Sequence, residues 1–237
     1  MKVSIRETCK RCLGQTGSLG VRRDLFGYAW GAMDRDLRVR RHIENIRDTS
    51  INLCVFFVGH EPGFGGTFTQ TQAQRVQHGI EMMREIYEQA DIGVRRIFWR
   101  FIHDDDAAPF ISVDSSGATD LTEAFSGPND GIDLFIVQTI TDAGGWSNSD
   151  GPCDKDDKGR TGAVVEVTGG SSNDFMGILM AHEVGHYLGL VHTNSATNLM
   201  GVDSNNDGIG EIGNNSRDLV ASQISTMRSS CWVRDPC

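Results

Sequence analysis

Nothing in the 237-residue sequence approaches the roughly 18 consecutive apolar residues that a bilayer-spanning helix needs, so a membrane helix is excluded. Internal repeats and low-complexity tracts are also missing. The opening residues, Met1 to Glu7, carry charge with no apolar stretch behind it, and do not read as a signal peptide. Cationic side chains are scarce: 22 Lys and Arg stand against 32 Asp and Glu, a net charge of −10. The shortage is uneven. Residues 1–48 hold 11 basic against 6 acidic side chains, and the remainder holds 11 against 26. An acidic body disfavours contact with phosphate backbones, so no nucleic-acid partner is expected. The basic leading arm reads as a solvated or loosely docked tail.

What is present describes an ordinary globular chain, 38% hydrophobic and 23% charged, long enough for one domain with a substantial core. The six cysteines, Cys9, Cys12, Cys54, Cys153, Cys231 and Cys237, are an even number. That permits disulfides in many pairings and favours a secreted, extracellular setting. Cys231 and Cys237 flank a short loop with Pro236 and can close on each other, whereas Cys54 lies in an apolar run and reads equally as a buried free thiol.

Residues 1–50 show little periodicity apart from a helical stretch near 36–47, and read as an N-terminal extension or prosegment. The core, 51–237, begins with an apolar run of strand length at 51–58, closed by Pro62, Gly63, Phe64, Gly65 and Gly66. After Thr69 a helix is expected over 70–90, because Val76, Ile80, Met83, Tyr87 and Ala90 recur at three- and four-residue intervals. Strands are expected at 94–102 and 132–140, separated by a polar loop with a short helix around 121–125. Residues 144–160 read as a surface loop and 162–167 as an edge strand carrying Glu166. Helices are expected at 171–188 and 217–227. This order implies an α/β (α+β) domain with a twisted, partly parallel mixed sheet.

The chemistry concentrates in His182-Glu183-Val184-Gly185-His186-Tyr187-Leu188-Gly189-Leu190-Val191-His192. Two histidines four apart on a helix stack one turn above each other, so both rings reach one ion. Glu183 projects beside that ion, placed to accept a proton from water. Gly189 can take the left-handed conformation that ends the helix, letting the chain turn and His192 return as a third ligand. Three neutral imidazoles leave one tetrahedral position open, the arrangement of a catalytic zinc site. Imidazole accepts other divalent metals too, so affinity alone does not select zinc. Three of the chain's seven histidines fall within eleven residues, which argues against coincidence.

This stretch resembles the metzincin signature H-E-x-x-H-x-x-G-x-x-H. Asn198, Leu199 and Met200 are similar to the family's Met-containing turn, which would put Met200 as an apolar floor under the imidazoles. Thr193 after the third ligand resembles the matrixin-like or pappalysin-like branches, and no Tyr closely follows Met200. The resemblance implies a metzincin-like zincin fold with an active-site helix and a C-terminal helix. It also implies zinc on His182, His186 and His192, Glu183 as general base, and a protein or peptide substrate; a monomer is expected. The edge strand, placed at 162–167, would receive that substrate by strand addition. Residues 193–202 would line the pocket beyond the scissile bond.

Two rivals stand beside this reading: a zinc hydrolase of a non-peptide amide, and a catalytically inactive metzincin-like zinc-binding module. Secondary features are weaker. Asp203 to Glu211 resembles the opening of a calcium loop, with Gly208 sixth, but its twelfth position is Asn214 rather than Glu, and a polar turn is favoured. His103, Asp104, Asp105 and Asp106 read as a solvated acidic loop more readily than as an ion site. Cys9 and Cys12 precede the core, and blocking of the metal by one of them is a minor alternative.

Overall fold

Alternation along residues 51–58 sends Ile51, Leu53, Val55 and Phe57 to one face and Cys54, Phe56 and Val58 to the other, and all are buried. A strand buried on both faces belongs in the interior of a covered sheet, with a neighbour on either side. The computed structural model, which describes residues 49–61, 65–156, 159–168, 172–202 and 211–234, puts it there. In chain order the elements begin β1 (Thr49–Val58), β2 (His60–Glu61), β3 (Gly65–Gly66), α1 (Gln70–Glu88), β4 (Ile92–Ile102), α2 (Asp104–Ala107) and β5 (Ser112–Val113). They continue α3 (Ser115–Phe125), β6 (Ile132–Val137), β7 (Thr139–Ile140), β8 (Gly145–Ser147), β9 (Gly162–Glu166), α4 (Asn173–Tyr187) and α5 (Ala221–Ser229). Five strands form one sheet in the order β4-β1-β6-β9-β8, with all neighbours parallel except the β8–β9 pair. Helices α1 and α4 cover one face and α3 the other, the mixed α/β architecture anticipated from the order of elements.

The helix that carries the histidines is fixed from several sides. Thr69 caps α1 reciprocally: its hydroxyl accepts from the Gln72 amide (3.2 Å) and the Gln72 side chain accepts from the Thr69 amide (2.8 Å), a device worth about 1 kcal/mol. The expected stripe Val76, Ile80, Met83, Tyr87 and Ala90 is buried. From it the Tyr87 phenol donates to the Ala181 carbonyl of α4 at 2.9 Å. Gly79 and Gly177 let the two helices approach closely, since a methyl group on Gly79 would sit 2.7 Å from Met180 Sδ. Arg75 donates to the carbonyls of Val167 (3.0 Å) and Ser172 (3.1 Å), holding the turn into α4.

Four expectations are corrected. The segment 162–167 is no edge: β9 is flanked by β6 and β8, and Glu166 turns inward to accept from the Ile140 amide at 3.1 Å. Residues 144–160 are not wholly loop, because Gly145–Ser147 forms the antiparallel edge strand. The last helix starts at Ala221 rather than 217, since Arg217 and Asp218 are engaged with the Thr197 carbonyl. Cys231 bonds to Cys153, 78 residues away, and so does not close on Cys237. Cys54 is a buried free thiol. The stretches 1–48 and 203–210, with Cys9, Cys12 and most of the calcium-loop candidate, lie outside the described residues, as does Cys237. No helix among the described residues is long and apolar enough to cross a membrane.

Candidate active site

Ser172 caps α4, its hydroxyl accepting from the Phe175 amide at 3.1 Å. Helical spacing then stacks His182 and His186, both buried, on one side of α4. The helix ends where Gly189 adopts φ +94°, a conformation costly for residues with a side chain. Its last carbonyls find partners in the loop after β8: the Asp150 amide donates to His186 O (2.8 Å) and the Gly151 amide to Tyr187 O (2.9 Å). The turn at Gly189 brings His192 back, and the three Nε2 atoms lie 3.0, 3.1 and 3.3 Å from one another.

Tautomers follow from the second nitrogens. His182 Nδ1 is 2.8 Å from the Leu199 carbonyl and His186 Nδ1 is 2.8 Å from the Leu190 carbonyl. A carbonyl can only accept, so both Nδ1 atoms carry the proton and both Nε2 atoms present lone pairs. Burial, ahead of repulsion from neighbouring rings, pushes His182 down to about 3, and burial pushes His186 down to about 4, so both rings stay neutral. The lone pairs of His182 and His186 face each other at 3.1 Å and repel unless a cation or a donor lies between them. Tetrahedral coordination with bonds of about 2.0–2.1 Å requires nitrogen separations of roughly 3.3 Å. The three-histidine set therefore fits a zinc-sized ion. Among the described residues it is the one cluster of this kind.

The expected Met-containing turn lies beside it, held by partners that the sequence did not advertise. The Leu199 carbonyl that orients His182 belongs to the turn at Asn198 and Met200, and Asn198 is locked to Gln223 of α5 by two amide hydrogen bonds of 2.8 and 2.9 Å. Asn198 Oδ1 also accepts from the Met200 amide (2.9 Å), so one buried amide pair holds the whole turn. Met200 is fully buried, and its sulfur lies 3.3 Å from where a methyl group on Gly185 would sit, between the two helical histidines in sequence. Thr193 donates to the Gly201 carbonyl at 3.0 Å and closes the far side of the same loop.

Glu183 is buried, and that burial pushes its carboxyl up to about 8. It faces β8, whose pairing is informative. The Glu166 amide donates to Gly144 O (3.1 Å), and Trp146 pairs with Val164 two residues on. In an antiparallel pair the bonded positions alternate, so the backbone groups of Gly145 and Ser147 face the open edge. The loop beyond β8 is anchored by the Cys153–Cys231 disulfide and by the buried Lys155–Asp133 ion pair (2.7 Å). The acidic stretch expected as a loop is the short helix α2, capped by His103, whose Nδ1 accepts from the Asp105 amide (3.0 Å) and whose Nε2 meets Glu61 at 2.7 Å.

The family model described as reprolysin-like metallo-peptidase family M12B matches residues 73–193, just over half the chain, ending one residue past His192. The chain belongs to that family. The match of this reprolysin-like protein supports a metzincin-like zincin, and it supports neither the matrixin-like nor the pappalysin-like branch. No curated protein sequence matches the reprolysin-like chain. Its fold is similar to archaemetzincin from Methanopyrus kandleri, at 12% identity and TM-score 0.48, over 76% of this chain and 94% of that one. It is similar too to metalloproteinase-II from Bacteroides fragilis, at 12% identity and TM-score 0.48, over 78% of this chain and 53% of that one.

Proposed function

We propose that the chain is a zinc-dependent metalloendopeptidase in which His182, His186 and His192 hold the metal and Glu183 is the general base. The observation that carries this reading is the convergence of three histidine Nε2 atoms within 3.3 Å of one another, beside the buried Glu183 side chain. When bound, zinc supplies Lewis acidity toward a carbonyl oxygen and lowers the pKa of water toward ~7. The protein's own residues do the rest. Glu183, next to the first ligand on the same helix, takes a proton from the attacking water and delivers it to the leaving amine. The outward backbone groups of Gly145 and Ser147 align an extended peptide by strand addition, which binds main chain without selecting sequence strongly. The fixed Nδ1 donors to Leu190 and Leu199 keep the rings from swinging as substrate exchanges. The Cys153–Cys231 disulfide supports an oxidising, extracytoplasmic place of action.

The test is cleavage of a denatured protein mixture by the purified chain, with and without a chelator and after zinc is restored. Chelator-sensitive cleavage that returns with zinc is expected. Bound zinc without cleavage of any peptide would overturn the peptidase reading in favour of a binding module or a non-peptide amidase.

A further inference from the structure

Resting on the assignment of Glu183 as the base, the geometry points to Gly145 as its positioning residue: the edge strand lacks a side chain there so that the carboxylate can occupy its seat. Three observations meet at this residue. A methyl group built on Gly145 would collide with Glu183 Oε1 and lie 2.6 Å from both Cγ and Cδ, so the whole end of the glutamate lies against the Gly145 α-carbon. The backbone does not itself demand glycine, because Gly145 is absent from the positive-φ positions and lies in regular antiparallel pairing with Val165. Space for Glu183, rather than chain conformation, is what excludes a side chain. Finally, pleat alternation gives this one residue two duties. Its Cα faces α4 and the base, while its amide and carbonyl face the open edge where a peptide would add.

Because β8 is pinned to β9, and its following loop is pinned to the end of α4 and by Cys153–Cys231, the strand has little freedom to retreat from a new methyl group. The flexible side chain gives way instead, and the base leaves its position. Ser147 faces the same way along β8, yet it is a serine, so small size is not a property of the whole strand face.

The experiment is a double-mutant cycle with Gly145→Ala and Glu183→Ala, read in two ways. Thermal unfolding of the metal-stripped proteins tests the contact alone. Gly145→Ala should lower the melting temperature in the wild-type background and leave it unchanged when Glu183→Ala has removed the colliding carboxylate. In the zinc-loaded protein, Gly145→Ala should bind one equivalent of zinc as before and lose kcat by about 10²-fold or more, the scale of a displaced general base, with KM altered far less. Equal loss of melting temperature in both backgrounds would place the cost in the strand itself and overturn the inference, as would full kcat in Gly145→Ala. If Gly145→Ala fails to fold alone but folds with Glu183→Ala, the inference stands; if neither folds, it falls. The unfolding arm is independent of any peptidase activity, so failure of the functional assignment leaves a separate signature.

Discussion

Glu183→Gln removes one negative charge from a buried seat and keeps the shape of the side chain, so its consequences can be worked out in advance. Burial holds the Glu183 carboxyl up to about 8, against 4.5 in an unconstrained glutamate. In the metal-free protein the folded carboxyl therefore keeps its proton where the unfolded one has lost it. Its contribution to stability is complete below pH 4.5 and is lost progressively as pH rises toward 8. At about 1.4 kcal/mol per unit, the accumulated loss is on the order of 5 kcal/mol. A glutamine does not titrate, so the variant escapes that slope. Its amide adds a constant offset of about 1–3 kcal/mol if it lacks partners, but an offset does not depend on pH. Denaturant unfolding of both chelator-treated proteins at pH 5, 6, 7 and 8 should show the variant gaining on wild type by about 1 kcal/mol per unit. Parallel curves would refute the claim that Glu183 is held in a desolvated seat. The zinc-loaded variant should bind metal normally and lose about 10²–10⁴ in turnover.

Acid should act on the metal-free protein through the histidines with the opposite sign. His182 and His186 are held down at about 3 and about 4, against 6.5 unfolded, so their contribution is present above pH 6.5 and is lost as pH falls toward those values. Melting temperatures at pH 7, 6 and 5 in wild type and His182→Ala report it, and a wild-type protein no more acid-sensitive than the variant would count against burial of neutral rings. Gln223→Leu strands the Asn198 amide and loosens the turn bearing the Leu199 carbonyl. It should cost about 1–3 kcal/mol and weaken zinc affinity, both measurable by unfolding and titration. Cys153→Ser opens a 78-residue loop and should cost about 2–4 kcal/mol in unfolding experiments, while reduced wild type should show the same loss.

The parts of the fold that rest on local repetition were readable from the chain. Ile51 to Val58 alternates and is an interior strand of the sheet; Val76, Ile80, Met83 and Tyr87 repeat at helical spacing and lie buried on α1. The candidate site was readable because its three histidines are close in sequence, and the turn at Gly189 is dictated by one residue. What was not readable depends on partners far along the chain. The edge strand β8 is three residues, Gly145, Trp146 and Ser147, too short for any period to register, so periodicity alone points to 162–167 as the edge. The Cys153–Cys231 pairing spans 78 residues, and the Asn198–Gln223 lock spans 25; neither leaves a local trace. Gly145 itself is one of 28 glycines and signals nothing until Glu183 is seen beside it.

Zinc titration of the metal-free chain, followed by elemental analysis after gel filtration, tests most directly whether three imidazoles form one metal site. One zinc per chain is predicted for the wild type, and loss of that equivalent is predicted for His182→Ala, His186→Ala and His192→Ala alike. A full equivalent retained by any of the three variants, or no zinc held by the wild type, would contradict the account.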